Sequence, residues 1–355
     1  MNMDYSERIL KRIVSADKTI LQTMKRMDEC RAKSLLAFDQ NRFLGLVTIG
    51  DLQRAIIAKC PFDTDIGVLV NNSQKKYAHI SDDKESIKAW MVEVRAEMMP
   101  VLDSDGNLET VIFWEDLFEE SREYNRTKID IPVVIMAGGK GTRLKPLTNV
   151  LPKPLIPVGE KTILEEIVDR FESVGCRRFY MSVNYKSDLL RFYVDHLAHR
   201  YDIEFFEEPK PLGTIGSVSL LKGRIDTPFF VSNCDIMIDQ DYRDVYDYHI
   251  ENKNDLTIVA AVKSFKIPYG VIETGKDGLM TELQEKPEVT YMINTGVYIL
   301  SSECIDEIPR NEFFHITQLM EKIRNRGGRV GCFPVSEQAW KDMGEWEEYL
   351  KVIGI

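Results

Sequence analysis

The chain has 355 residues, 44 % of them hydrophobic and 29 % charged, with a formal net charge of −11. That length suits two domains of roughly 100–200 residues each, and the composition excludes disorder, collagen and coiled coil for the bulk of the chain. The acidity argues against a general nucleic-acid binder or a binder of anionic membranes, and no apolar run approaches the ~18 residues of a spanning helix.

Met1 to Lys11 is charged and lacks an apolar signal core, so the expected location is the cytoplasm. The cysteines at 30, 60, 176, 234, 304 and 332 show no CxxC spacing. Buried reduced thiols are therefore expected, not a zinc ribbon or a redox pair. His196 and His199 are i,i+3 on an expected helix but have no obvious third ligand, so no zinc site is expected there.

The first third of the chain repeats weakly. One copy runs from Ile13-Val14-Ser15-Ala16-Asp17 to Phe43–Leu52, the other from His79-Ile80-Ser81-Asp82-Asp83 to Val111–Leu117. Each reads strand, helix, hairpin, helix, with Asp39-Gln40-Asn41 and Asp105-Gly106 at the hairpin turns. Residues 8–120 resemble a tandem pair of CBS domains. The resemblance implies that the Thr and Asp of a closing GxxTxxD segment hold a nucleotide ribose. Gly45, Thr48 and Asp51 match that segment, whereas the second copy keeps Asp116 but has Phe113 in place of the Thr. At most one site, Thr48 with Asp51, is thus implied for an adenine or guanine nucleotide. A ligand-free dimerising module is the other reading of the same pair.

The polar stretch Ser121–Asp130 reads as a linker. The expected organisation is a regulatory domain over 1–122, a linker over 123–130 and a catalytic domain over 131–355. After the linker, Ile131–Ala137 is a continuous apolar run, as in a strand buried on both faces. Helical spacing follows in Ile163, Ile167, Val168 and Phe171. Then come a strand over Phe179–Val183, a helix over Ser187–Ala198, a strand over Ile203–Phe206, a helix from Gly216 to Lys222 and a strand over Phe229–Val231. The alternation predicts an α/β three-layer sandwich with a mostly parallel, Rossmann-like central sheet, preceded by the smaller α+β module. Ligands in such sheets sit at the carboxyl ends of the strands.

At the end of the first apolar run lies Ala137-Gly138-Gly139-Lys140-Gly141-Thr142-Arg143-Leu144, followed by Pro152-Lys153-Pro154-Leu155. Glycines let a backbone approach phosphate oxygens and present several N–H donors together. From Gly138 to Pro154 the cations Lys140, Arg143, Lys145 and Lys153 have no accompanying acid. In an acidic chain this local excess calls for an anionic ligand. Neither a Walker A loop nor the dinucleotide fingerprint GxGxxG fits these residues.

The GGxGTRL…PKPL pattern resembles the signature of sugar-1-phosphate nucleotidylyltransferases, and the likeness covers Ile131 to Ile355. Further motifs follow in family order: Glu208-Pro209-Lys210-Pro211-Leu212-Gly213-Thr214, Asn233-Cys234-Asp235, Glu285-Lys286-Pro287, Asn294-Thr295-Gly296 and Trp340-Lys341-Asp342-Met343-Gly344. The resemblance implies that Gly138, Gly139, Gly141 and Thr142 meet the nucleotide, with Arg143 and Lys153 on its phosphates. Gly213 and Thr214 would wall the base. Asp235 and Asp342 would hold Mg²⁺, while Glu285, Lys286 and Asn294 would bind the sugar phosphate. Taken singly, Asp235 reads as a loop acid and Asp342 as a surface residue; their order behind the glycine loop gives them the metal role. Ile215 stands where Ala is usual, and Glu345 where a small hydroxyl residue is usual, at the start of the last helix.

Chemistry agrees with these roles. Joining a triphosphate to a sugar phosphate brings two polyanions together, so positioning and charge neutralisation suffice and no covalent nucleophile is needed. The expected reaction makes an NDP-sugar and pyrophosphate. A paired CBS module ahead of such a domain resembles guanylyltransferases of bacterial surface-sugar (nonulosonate) pathways, which implies GTP and either glucosamine 1-phosphate or mannose 1-phosphate, and a homo-oligomer. Thymidylyl, uridylyl or cytidylyl transfer to glucose 1-phosphate is the alternative. A nucleotide-sugar glycosyltransferase or a silent nucleotide sensor explains the glycine loop less well.

Overall fold

The computed structural model describes residues 5–70, 75–94, 96–117, 128–197 and 201–354. The chain divides into two compact units, Met1–Arg126 and Thr127–Ile355. The stretch expected as a linker lies outside the described residues up to Thr127, as do Ala198 and His199. Among the described residues no helix is long and apolar enough to cross a membrane.

The first unit repeats one pattern twice. β1 (Ile13–Ser15), α1 (Ile20–Cys30), β2 (Ser34–Asp39), β3 (Arg42–Thr48) and α2 (Ile49–Ile57) form the first copy. β4 (Ala78–His79), α3 (Lys84–Glu93), β5 (Met98–Leu102), β6 (Leu108–Phe113) and α4 (Trp114–Leu117) form the second. In each copy the first strand pairs parallel with the second, which pairs antiparallel with the third. The hairpins turn at Gln40 (φ 52°) and Gly106 (φ 81°), where left-handed backbone is required. Leu36, Phe38, Phe43 and Leu46 of the first copy share one core with Met98, Leu108, Val111 and Phe113 of the second. Neither three-stranded sheet could bury its apolar face alone.

The second unit is built on a seven-stranded sheet. Its elements are β7 (Val133–Met136), α5 (Ile163–Ser173), β8 (Arg178–Val183), α6 (Ser187–His196), β9 (Asp202–Glu207), β10 (Phe229–Asn233), β11 (Ile236–Ile238) and α7 (Tyr242–Glu251). β12 (Leu256–Lys266), β13 (Val271–Thr274), β14 (Met280–Gln284), β15 (Glu288–Leu300), α8 (Ile316–Asn325), β16 (Val330–Ser336), β17 (Trp340–Asp342) and α9 (Trp346–Ile353) follow, beside shorter segments. The order across the main sheet is β9-β8-β7-β10-β15-β12-β16. Every neighbouring pair is parallel except the two made by β15. Val133 and Ile135 of β7 enter one core with Ile167 and Phe171 of α5, while Val134 enters the other with Leu319 and Ile323 of α8. Alternation along a strand thus feeds two apolar layers, which is the three-layer arrangement.

The expected first strand shortens to Val133–Met136 because Pro132 has no N–H for the ladder; its carbonyl still accepts from Phe230 N at 2.9 Å. The helix expected from Gly216 to Lys222 is a 3₁₀ segment, Gly216–Leu221. There Ser219 Oγ turns back to the Gly216 carbonyl at 2.7 Å, a local bond that competes with α-helical geometry. Cys176, Cys234 and Cys304 are buried, as the composition led one to expect, but Cys30, Cys60 and Cys332 are only half-buried; all six are free.

Two groups of strands meet at one point. The chain winds outward from β7 through β8 to β9, then returns to the opposite side of β7 as β10. At such a reversal the loops leaving the two central strands diverge and open a crevice at their carboxyl ends. The glycine loop leaves β7 there, and Asp235 follows β10.

A buried histidine supplies a pH signature for this unit. His249 is 1 % exposed, with Nδ1 at 2.9 Å from Thr257 Oγ1. Burial pushes its pKa from 6.5 down to about 4. Because the folded-state value lies below the unfolded one, this stability is present above pH 6.5 and is lost as pH falls through about 4. The loss amounts to about 3 kcal/mol. Denaturant titrations between pH 7 and 4 should show it as the difference between the parent protein and His249→Gln, which loses the step.

Candidate active site

The loop after β7 is shaped by different constraints at each glycine. A Cβ on Gly138 would lie 2.7 Å from Glu208 Oε1. Glu208, 7 % exposed, accepts from Ser182 Oγ and, at 3.1 Å, from Leu212 N. Gly141 has φ 61°, and Thr148 Oγ1 donates to its carbonyl at 2.8 Å. A Cβ on Gly139 would meet nothing within 4 Å. The fold therefore accounts for Gly138 and Gly141 but leaves Gly139 free of any packing demand. Thr142, exposed, opens the short 3₁₀ turn Thr142–Leu144 that carries Arg143.

Four of the residues singled out from sequence converge beside this loop. Lys153 lies in the 3₁₀ turn Lys153–Leu155 and is 8 % exposed; its Nζ donates to Asp235 Oδ2. Asp235 comes from the end of β10. Asp342 comes from β17, which pairs antiparallel with β11 so that Asp342 stands opposite Ile236. That register, with Met343 N donating to the Asp235 carbonyl at 2.8 Å, brings the two aspartates side by side. Arg143 spans both: Nη2 lies 3.8 Å from Asp235 Oδ2 and Nη1 3.7 Å from Asp342 Oδ2.

The arrangement leaves little room. Gly344 N donates to Asp342 Oδ1 at 2.8 Å, and a Cβ on Gly344 would run into Lys153 Nζ and both aspartates. Burial, reinforced by the charge of Asp235, raises the pKa of Asp342, against the pull of the Gly344 N–H, Arg143 and Lys153. A cleft of about 440 Å³ opens beside the cluster, lined by Lys263, Glu337, Trp340, Asp342, Glu345 and Trp346 among others. Cys234 offers no nucleophile: burial, then the adjacent Asp235 charge, pushes its thiol up to about 12.

Asp235 and Asp342 are hard oxygen donors. Among the described residues no set of three or more His, Cys, Asp or Glu could hold a metal. Two carboxylates suit Mg²⁺, which keeps several waters and takes further oxygens from substrate phosphates.

The remaining sequence candidates lie on other elements. Gly213 has φ 83°, and a Cβ there would lie 2.6 Å from the Phe314 carbonyl. Thr214 Oγ1 accepts from Ile316 N at 2.9 Å, tying this loop to the start of α8. Ile215 is fully buried, so its departure from Ala is a matter of core packing. Glu285 and Lys286 are exposed in the turn between β14 and β15 and face each other at 3.9 Å. Asn294, exposed on β15, accepts from Gly296 N at 3.1 Å.

Glu345 acts in a place the sequence reading did not assign to it. The last helix starts normally at Trp346, and the Glu345 side chain makes no cap bond. It accepts instead from Arg143 Nη1. Burial alone would lower the Arg143 pKa, but that bond together with the charges of Asp342, Glu345 and Asp235 raises it. Glu208 likewise belongs to a motif without an assigned role; an acid between the end of a strand and a pair of prolines was the available signal.

A model of the family described as nucleotidyl transferase matches residues 132–354. The chain belongs to this nucleotidyl transferase family. The mannose-1-phosphate guanyltransferase of Yarrowia lipolytica is 35 % identical over 226 residues, 61 % of this chain and 61 % of that protein. A mannose-1-phosphate guanylyltransferase catalytic subunit beta of Drosophila melanogaster is 32 % identical over 182 residues, 49 % of each chain. The chain spans about half to three-fifths of the length of these curated relatives. A Bacillus anthracis crystal structure, provisionally named a glucose-1-phosphate thymidylyltransferase and containing a sucrose, shares 20 % identity. It covers 63 % of this chain and 94 % of that one at a TM-score of 0.50, a likeness of fold.

Proposed function

We propose that the second unit joins GTP and a hexose 1-phosphate, either mannose 1-phosphate or glucosamine 1-phosphate, into a GDP-sugar with release of pyrophosphate. The observation that carries this is the convergence of Arg143, Lys153, Asp235 and Asp342 beside the glycine loop, at the reversal point of a parallel-rich sheet. The relatives' names support the choice of base and of mannose 1-phosphate.

In this reading a sugar-phosphate oxygen attacks the α-phosphorus, a new O–P bond forms, and the bond to the departing pyrophosphate breaks. The attacking phosphate is already ionised at neutral pH, so no general base is required. Gly139 and its neighbours approach the nucleotide by backbone, which explains why a residue under no packing demand is glycine. Arg143 neutralises the triphosphate, and Lys153, buried and aimed at the cluster, holds oxygens at the α-phosphorus. Asp235 and Asp342 would hold Mg²⁺, which when bound supplies charge neutralisation to the triphosphate. Gly213 and Thr214 face the base, and Glu285, Lys286 and Asn294 take the sugar phosphate. A pyrophosphate-release screen of several triphosphates against a panel of sugar 1-phosphates tests this. Turnover with GTP supports it, and turnover only with another triphosphate, or none, rejects it.

The same proposal reads the first unit as a tandem CBS pair with one nucleotide site. Thr48 and Asp51 cap α2 reciprocally, and Lys75 Nζ also bonds Asp51. Burial alone would raise the Asp51 pKa, but Lys75 and Thr48 lower it. In the second copy Asp116 accepts from Arg8 at 2.8 Å, and the Arg8 guanidinium lies 3.7 Å over the Phe113 ring. That copy also has Phe113 in place of the threonine, which leaves the first copy as the binding candidate. Asp51→Ala should remove any response of turnover to added adenine or guanine nucleotides. Identical titrations of parent and variant, with the parent responding, would reject the site.

A further inference from the structure

The contact between Glu345 and Arg143 has no local structural purpose. Glu345 occupies the N-cap position of α9 without capping it, although a Ser, Thr, Asp or Asn there stabilises a helix start. Its carboxylate reaches instead across 202 residues of sequence to Arg143. Neighbouring contacts hold it in that place. Trp346 Nε1 donates to the Lys145 carbonyl at 3.1 Å, and Tyr349 OH to the Pro157 carbonyl at 3.0 Å. The start of α9 is therefore pinned against the segment that carries Arg143.

Charge and geometry set the consequence. Arg143 turns Nη1 to Glu345, and the same guanidinium faces Asp342 and Asp235 at 3.7 and 3.8 Å. A guanidinium presents its donors in one planar fork. A triphosphate needs that fork, and cannot have it while a carboxylate and two further acids share it. Glu345, Asp342 and Asp235 thus occupy the guanidinium that an approaching polyanion needs.

We propose that Glu345 is a positioning residue that acts through Arg143: its carboxylate stands in for a phosphate, parks the guanidinium over the two aspartates, and is displaced when a nucleoside triphosphate binds. Glu345 thereby sets the affinity for the triphosphate without touching the sugar phosphate. The inference rests on the proposed reading of this site as a triphosphate site.

The test compares the full-length parent with Glu345→Gln, which removes the charge but keeps the shape, and Glu345→Ser, which also supplies a capping hydroxyl. Equilibrium binding of GTP with Mg²⁺ is measured by calorimetry, alongside pyrophosphate-release kinetics. Both variants should bind GTP about fivefold more tightly, the upper range for a half-exposed ion pair. The KM for GTP should fall in parallel, with kcat and the KM for the sugar phosphate unchanged. The gain should shrink at high salt. Glu345→Ser should also melt at a higher temperature. Unchanged or weaker GTP binding in both variants overturns the inference. Tighter GTP binding in variants of a protein that releases no pyrophosphate upholds it and rejects the proposed reaction. Absence of GTP binding in the parent and both variants overturns both.

Discussion

Asp235→Asn should lower kcat by at least about 10²–10³, the usual effect of removing one electrostatic contact from a transition state. The expected loss is at the upper end because this carboxylate serves two purposes. It accepts from the buried Lys153 ammonium, and it is one of the two acids proposed to hold a divalent ion. Replacing it removes the negative charge opposite the Lys153 ammonium and one of the two proposed metal ligands. The fold should survive, since the Asp235 carbonyl still receives Met343 N and an amide oxygen still offers Lys153 an acceptor. Pyrophosphate release as a function of Mg²⁺, read beside circular dichroism, separates lost chemistry from lost structure. Retained Mg²⁺-dependent turnover would remove Asp235 from this role.

Gly344→Ala should cost nearly as much without any change of charge. The added methyl would sit 2.5 Å from Asp235 Oδ2 and 2.8 Å from Asp342 Oδ1, and closer still to Lys153 Nζ. All three are side-chain ends that can move aside, so the melting temperature should change little. Each has to move, however, and displacement of reacting groups by about 1 Å can cost roughly 10² in rate. A fall in kcat/KM of about that size, with an unaltered melting curve, is the expected result. Full activity in the variant would mean that the cluster rearranges before chemistry and that its resting geometry does not matter.

The sequence carried the short-range parts of this site clearly. Gly138, Gly141, Arg143 and Lys153 lie within one stretch whose glycines and unbalanced cations announce a phosphate loop, and Asp235 ends an apolar strand. What brings Asp342 to them is a two-strand register, Ile236 opposite Asp342, and register is invisible in an isolated three-residue strand. The direction of β15 was equally hidden, because Val297–Leu300 is an apolar run that reads the same in a parallel or an antiparallel strand. Pro132 could have been read as the true limit of β7, since the missing donor is local information. The role of Glu345 could not, because its partner is remote and only the vacant cap beside it is written nearby.

The ribbon formed by β11 and β17 makes chain length as important as residue identity. Side chains alternate along a strand, so Trp340 and Asp342 share one face and Lys341 takes the other. Inserting a single residue into Glu337–Ala339 while the main sheet stays in place would slide Lys341 toward the position of Asp342. An anion would give way to a cation in the spot proposed for a metal ligand. That three-residue connection should therefore be intolerant of insertion or deletion, whereas the exposed β13–β14 hairpin can vary in length without disturbing the carboxylate pair.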